Sequence, residues 1–491
     1  MQSIIGPDGR TYQAMPQTKV TPPKEDLPIG RISSPWKVYG RTLGIVLLSF
    51  MMVQFLVLGV IGILEGDPWL AFCGGVFGLP FVATIVFIQR PKIMDVRIAT
   101  PDPKGSNYHV ISENQTLWTP MPTLFTRHLI RDSSALDIPT SSKIWTIFFG
   151  LISTSILISI GLWLEVGGAI MIIIAVGIGI PFFLLGFSIP VMGWWAISRE
   201  RLGLLTRERD AETWLFLGMM SAFPAILINS FAFPSAIYTL GIEMSEDALM
   251  SWTAVISAPL GEEICKGIAV AFFYNSMNSG KRGFQIGFTV GLGFALIENL
   301  QYILMSFGGG FTGFALTTLI RGIGSIPGHA FWTGITGFSM GVLASKNNSK
   351  SLEKKEKDTN QVWKLFDPKT GNEILNDSIT INKKILTPID EQPHDWFTIS
   401  KNETVPKMQS VGRGIQPPSN VGSALLTAIF AHALWNGTAV GAPWFALSLT
   451  QSEGISIIVS LLTTIMMVAG VLGIGNMILN GVADEDKKQP Y

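Results

Sequence analysis

Ionisable side chains are scarce in this sequence. Of 491 residues only 14% are Asp, Glu, Lys or Arg, and the 35 basic and 35 acidic residues cancel to a formal charge of zero. With 48% hydrophobic residues and a mean hydropathy of +0.40, the composition excludes a soluble globular protein and indicates an integral membrane protein. The neutral balance also removes bulk basicity as an argument for a nucleic-acid partner. Cysteine is nearly absent. The two present, Cys73 and Cys265, lie within apolar runs, which excludes a disulfide framework and fits small buried core residues. Residues 1–41 lack a short apolar core followed by a small-residue cleavage site, so no cleaved signal peptide is expected and the first apolar run is read as the insertion signal. Periodic repeats, collagen-like triplets, coiled-coil heptads and low-complexity tracts are missing as well.

What is there is a series of apolar runs. A bilayer core needs about 20 mostly apolar residues per helix, and ten runs qualify: 42–64, 69–88, 144–163, 169–197, 213–240, 250–274, 284–304, 311–344, 421–441 and 455–480. Basic residues collect on one side of the alternating connections: Arg31, Lys37 and Arg41, then Arg90 and Lys92, Arg199 to Arg209, Lys281 and Arg282, and Lys346 and Lys350. Lys and Arg are retained in the cytoplasm, so both termini are expected there, with the plasma membrane as the expected location. The expected fold is an all-α polytopic membrane protein with about ten transmembrane helices and two polar, β-containing cytoplasmic insertions. Its divisions are a cytoplasmic segment 1–41, two helices over 42–88, an insertion at 89–143, three helices over 144–240, a group of helices over 250–344 that carries the chemistry, an insertion at 345–420, the last two helices over 421–480, and a cytoplasmic tail 481–491. Pro101 to Gly105, Gly6 to Gly9 and Asp367 to Gly371 read as turns between β-prone runs, and the Lys-rich stretch 350–357 as a solvated connector.

Six of the ten runs contain no Asp, Glu, Lys, Arg or His. The other four contain Glu262, Glu263 and Lys266; Glu298; Arg321 and His329; and His432. A charge at mid-membrane costs roughly 2.5 to 3.5 kcal/mol on insertion scales, so such residues are functional candidates. Glu262 and Glu263 follow Pro259, which frees a backbone carbonyl and bends the helix. Glu262 and Lys266 are four apart and share a face, while Glu263 points elsewhere. Glu298 lies beyond Gly291 and Gly293, which permit close helix approach. His432 and Asn436 are one turn apart. Arg321 reads as structural, snorkelling toward the outer interface, and Trp332 and Trp435 as packing. Carboxylates take protons from water, imidazoles orient water or bind metal, and an amide steadies an oxyanion, so the set suffices for hydrolysis. Two His with one or two Glu would also satisfy a catalytic zinc with an open position. No H-E-x-x-H is present, and the spacing itself does not establish a metal.

The combination Pro259-Leu-Gly-Glu262-Glu263-Ile-Cys-Lys266, Phe294-Ala-Leu-Ile-Glu298-Asn299, Gly328-His329 and His432-Ala-Leu-Trp435-Asn436 resembles the PrsW family of intramembrane proteases over roughly residues 213–445. It is more distantly similar to CAAX-processing and bacteriocin-processing membrane proteases. The resemblance implies cleavage of a membrane-anchored protein within or beside the bilayer. Catalytic roles then fall to Glu262 as general base and to Glu263, His329 and His432, with Lys266, Glu298, Asn299 and Asn436 in support. His329, His432 and Glu298 are the implied metal ligands and zinc the candidate cofactor. The CAAX-processing relatives carry Phe-x-x-x-His and an Arg four residues after the second Glu. Here Phe294 leads to Glu298 and residue 267 is Gly, which withdraws the motif's support for a prenylated substrate. Two other classes use the same residues: a proton- or ion-coupled transporter, which would show an inverted repeat and move solute without breaking a peptide bond, and a non-catalytic chaperone or scaffold, which would tolerate Glu262→Gln. No motif specifies the oligomeric state.

Overall fold

The computed structural model describes residues 3–5, 11–13, 20–21, 34–88, 90, 93–112, 115–165, 168–358 and 413–484. They form two compact units.

The smaller unit is β-structured. Strands β1 (Ser3–Ile5) and β2 (Thr11–Gln13) pair antiparallel. Strand β3 (Val20–Thr21) runs parallel to β5 (Gln115–Arg131), which pairs antiparallel with β4 (Ile93–Ser112). The turn read at Pro101 to Gly105 is not the hairpin reversal. Pro101 and Ser106 both stand opposite Thr123, so the intervening residues bulge out of β4, and the chain reverses between Ser112 and Gln115. The local chemistry is nonetheless that of a turn. The Asp102 side chain accepts from the Lys104 N–H at 2.7 Å, and a Cβ on Gly105 would lie 2.4 Å from the Thr123 backbone, so only glycine fits. The turns read at 6–9 and 367–371 lie outside the described residues.

The larger unit is helical. Its elements are α1 (Pro35–Glu65), α2 (Pro68–Ile88), α3 (Ser141–Trp163), α4 (Gly168–Leu202), α5 (Glu208–Leu227), α6 (Phe233–Thr239), α7 (Glu246–Trp252), α8 (Ala258–Ala271), α9 (Gly280–Ser306), α10 (Gly310–Ile320), α11 (Ile326–Asp358), α12 (Val421–Thr450) and α13 (Glu453–Ala483). The Lys-rich stretch read as a solvated connector continues α11 instead. Among the described residues, eight helical stretches are long and apolar enough to cross a membrane. One of them, Gly280–Asn347, is 68 residues long and holds α9, α10 and most of α11; the charged α7–α8 stretch is not among the eight. The protein is therefore an all-α polytopic membrane protein in its larger unit. Apolar side chains on α2, α4 and α13 are exposed, among them Phe87, Ile173 and Met466, as lipid-facing helices require.

Helix α9 is the central post, buried from Gly280 to Leu300 on nearly every side, as expected of a helix that is apolar all round. Helix α11 lies antiparallel against it. Gly291 makes this contact possible: a Cβ there would come within 2.4 Å of the His329 carbonyl oxygen, so the glycine brings the backbone bearing His329 against α9.

Among the described residues, three helices are interrupted by five-residue π-helical turns, at Ile228–Ala232, Thr253–Ser257 and Arg321–Ser325. Each is closed by a bond from the residue five positions on: Phe233 to Ile228, Ala258 to Thr253 and Ile326 to Arg321. In all three the next residue is proline: Pro234, Pro259 and Pro327. A proline ring clashes with the carbonyl four residues earlier, and here that carbonyl always falls inside the widened turn. The wide turn accommodates the ring without breaking the helix.

Candidate functional site

The ionisable residues scattered over four apolar runs converge in one buried cluster built from α8, α9, α11, α12 and the π turns. Glu262, Glu263 and Lys266 come from α8, just after Pro259. Glu298 comes from α9, His329 from the first turn of α11 and His432 from α12.

Lys266, with 0% exposure, is the internal cation. Its Nζ donates to Glu263 Oε1 at 2.6 Å and to His329 Nδ1 at 2.9 Å, and lies 3.7 Å from Glu262 Oε2. The helical register that pairs residues four apart is thus not the tighter one; Lys266 binds Glu263, three residues away. An ammonium can only donate, so His329 Nδ1 accepts and its proton sits on Nε2, which faces Glu298 Oε2 at 2.8 Å. Glu298 Oε2 is also 2.8 Å from Arg321. His432 Nδ1 donates to Glu263 Oε1 at 3.0 Å, which leaves the Nε2 lone pair 3.9 Å from Glu262 Oε2. Thr333 Oγ1 donates to the other oxygen of Glu263 at 3.4 Å. Aromatic rings enclose the cluster. Trp332 stacks on His432 at 4.6 Å, and the Phe294 ring centroid lies 4.2 Å from Lys266 Nζ.

Two supporting residues stand further out. Asn299 accepts from Arg321 Nε at 2.7 Å and donates to the Phe187 carbonyl. Asn436 donates to the Ala254 carbonyl at 2.8 Å and so ties α12 to a π turn without reaching the carboxylates. Three residues join the site: Arg321, read from the sequence as structural, and Asn229 and Ser257, which the sequence did not single out. Arg321 does not snorkel away but holds Glu298, with its guanidinium 4.0 Å from the Tyr302 ring; a cation in a run facing an acidic one was the available signal. Asn229 reaches Glu262 Oε1 at 3.5 Å and accepts from Ser257 Oγ at 2.8 Å. Both are uncharged, so a search for charge in apolar runs passes over them.

The charges do not balance. Glu262, Glu263 and Glu298 face Lys266 and Arg321, and one negative charge is left over. Glu262 is the carboxylate farthest from a cation, its Oε2 3.7 Å from Lys266 and without a hydrogen bond, so it is the one left either to hold a proton itself or to meet a bound cation. An unbalanced buried carboxylate is expensive, and a bound cation would satisfy it. Glu262, His329 and His432 each offer a ligand atom, all within 4.8 Å of one another. Glu298, implied as a ligand by the resemblance, instead contacts His329 from outside that trio. His432 fits a metal as it stands, since it presents a free Nε2 lone pair while a carboxylate holds its other ring nitrogen, the usual support of a metal-bound imidazole; both ring nitrogens of His329 are engaged, so it would join by exchanging one of those contacts for the ion.

Residues 213–357 match the family model described as PrsW family intramembrane metalloprotease. The match contains Glu262 through His329 and stops before His432. No curated protein and no solved structure matches the chain.

Proposed function

We propose, from the premise that residues 213–357 are PrsW-family intramembrane protease sequence, that this protein hydrolyses a peptide bond of a membrane-anchored protein at the Glu262–His329–His432 cluster. The observation that carries the reading is the buried Glu262 Oε2, free of hydrogen bonds and facing the unprotonated Nε2 of His432. In this reading Glu262 takes the proton of the attacking water and later returns it to the leaving amine. Glu263, held by Lys266, His432 and Thr333, keeps His432 in the tautomer whose lone pair faces the water. Lys266 and Glu298 fix the ring of His329 from both sides, and Arg321 fixes Glu298. Asn299 and Asn436 act at one remove, by positioning Arg321 and by fastening α12.

Glu262 and His432 would also hold the metal ion, with His329 joining them by giving up one of its two ring contacts, to Lys266 or to Glu298, and two imidazoles with a carboxylate suit zinc. Such an ion, when bound, would supply a water that is nucleophilic near neutral pH and would polarise the scissile carbonyl. Helices 250–344 and 421–480 accordingly carry the reaction, and the insertions at 89–143 and 345–420 recruit substrate or regulators from the cytoplasm, in the plasma membrane.

Glu262→Gln, Glu263→Gln, His329→Ala and His432→Ala are each expected to abolish cleavage of a reporter membrane protein while membrane insertion is retained. Cleavage by a Glu262→Gln/Glu263→Gln double variant at the wild-type rate would end the assignment. For the metal, purified protein is expected to hold one zinc per chain by elemental analysis, to lose activity on chelation and to regain it on zinc addition. His432→Ala is expected to lower the zinc content. Full activity in protein stripped of metal would refute the zinc assignment and leave a carboxylate-activated water.

A further inference from the structure

Beside the cluster, on the far side of Arg321, lies a cavity of about 120 Å³ lined by the π turn 321–325, α12 and α13. Its polar contributions are Arg321, Ser325, Thr438, Thr463 and Thr464, set among Ile320, Trp435, Ala439 and Met467. It adjoins the centre through the chain itself: Ser325 is four residues before His329, and Trp435 three after His432. Thr463 and Thr464 donate to carbonyls of their own helix. Ser325 is 4% exposed, and neither it nor Thr438 has a hydrogen-bond partner among the described residues. Thr438 is half-buried; the Ser325 hydroxyl, unpartnered on a buried residue at the cavity wall, calls for a ligand.

The character of that ligand follows from charge. Arg321 is already compensated by Glu298, so a carboxylate entering here would share one guanidinium with Glu298. A neutral acceptor meets no such conflict. Peptide carbonyls are neutral acceptors, and a membrane helix must open its backbone bonds before it is cut, freeing carbonyls that hydrocarbon cannot satisfy. We propose that this cavity receives the unwound stretch of substrate beside the scissile bond, with Ser325 and Thr438 donating to its freed carbonyls and the walls admitting only a small side chain. The proposal rests on the proteolytic reading above and names the subsite that makes it selective.

The test uses the full chain and a single-span reporter selected for cleavage by it, carrying Gly, Ala, Leu or Phe in turn at each position flanking the cut. At one position the wild-type protein is expected to cleave the Ala form at least tenfold faster than the Phe form. Ala439→Leu, which narrows the cavity, should raise that ratio at least tenfold further, whereas Ile458→Phe on the exposed face of α13 should not change it. Ser325→Ala/Thr438→Val removes the donors and keeps the shape; it should slow cleavage about tenfold, and a Gly-Pro break in the reporter near the cut should restore most of the loss, because that substrate arrives unwound. A purely structural role for the two hydroxyls would show no such restoration. Photo-crosslinking from position 464 in the Glu262→Gln background should capture the reporter, and from position 458 should not, a readout independent of turnover. An unchanged side-chain preference in Ala439→Leu, or no capture from position 464, overturns the subsite while Glu262→Gln inactivity keeps proteolysis standing. Undiminished cleavage by Glu262→Gln overturns both.

Discussion

Lys266 has no access to solvent, yet it touches three of the residues that matter: Glu263 at 2.6 Å, His329 at 2.9 Å and Glu262 at 3.7 Å. A buried ammonium is tolerated because two of its N–H bonds end on acceptors and a second carboxylate lies within ion-pair range. Removing it strands the Glu263 carboxylate, which is 1% exposed, and breaking a buried pair from one side costs about 3 to 5 kcal/mol. Lys266→Met is therefore expected to lower the unfolding temperature in detergent by several degrees, and Lys266→Met with Glu263→Gln, which keeps the net charge of the cluster unchanged, to recover part of it. Equal unfolding temperatures for the single and double variants would contradict the coupling. The same reasoning separates Lys266 from Arg321: both are cations in apolar runs, but Arg321 binds the outer carboxylate, Glu298, and reaches the imidazole only through it.

The elements that aim these side chains are irregular because proline is placed to make them so. Each π turn delivers a residue to the site or its rim: Asn229 from the first, Ser257 from the second, Arg321 and Ser325 from the third. An extra residue per turn rotates the helix before it relative to the helix after it, so proline placement sets side-chain direction as well as helix path. Pro327→Ala removes the ring that forces the third turn open. Residues 321–325 are then free to take regular α-helical bonds, which turns Arg321 away from Glu298. The expected outcome is at least a tenfold loss of reporter cleavage with an unfolding temperature unchanged or raised, since Ala is the better helix former by about 3 kcal/mol. Unchanged cleavage would show that the wide turn does not place Arg321.

For the whole molecule, the distribution of basic residues predicts orientation. Loops carrying Lys and Arg stay in the cytoplasm, so the hairpin of β4 and β5 and the segment after α11 should lie on one side, and the acidic connection at Glu243 to Asp247 on the other. A membrane-impermeant maleimide should label Ser106→Cys only when the cytoplasmic face is open, and Glu243→Cys only when the opposite face is. Cys265 is buried and Cys73 lies within α2. Labelling of both introduced positions from one side would refute this topology, and labelling each only from the face opposite to that expected would reverse it.

The sequence by itself determined that the chain lives in a bilayer and which of its apolar runs hold ionisable side chains, because hydrocarbon penalises every ionisable group wherever the chain goes afterwards. It also announced the turn at Pro101 to Gly105, though not its use as a bulge, since strand register depends on a partner that local residues do not specify. Tertiary structure decided which acids meet which bases. Asn436 shares a face with His432, yet α12 crosses both α8 and the π turn before it, so one residue reaches the carboxylates and the other a backbone carbonyl. Lys266 chose Glu263 because His432 and Thr333 converge on that carboxylate from other helices, and Arg321 turned inward because α9 sets Glu298 within reach. Distances between separate helices are set by packing, and packing is a property of the assembled bundle that no single stretch encodes.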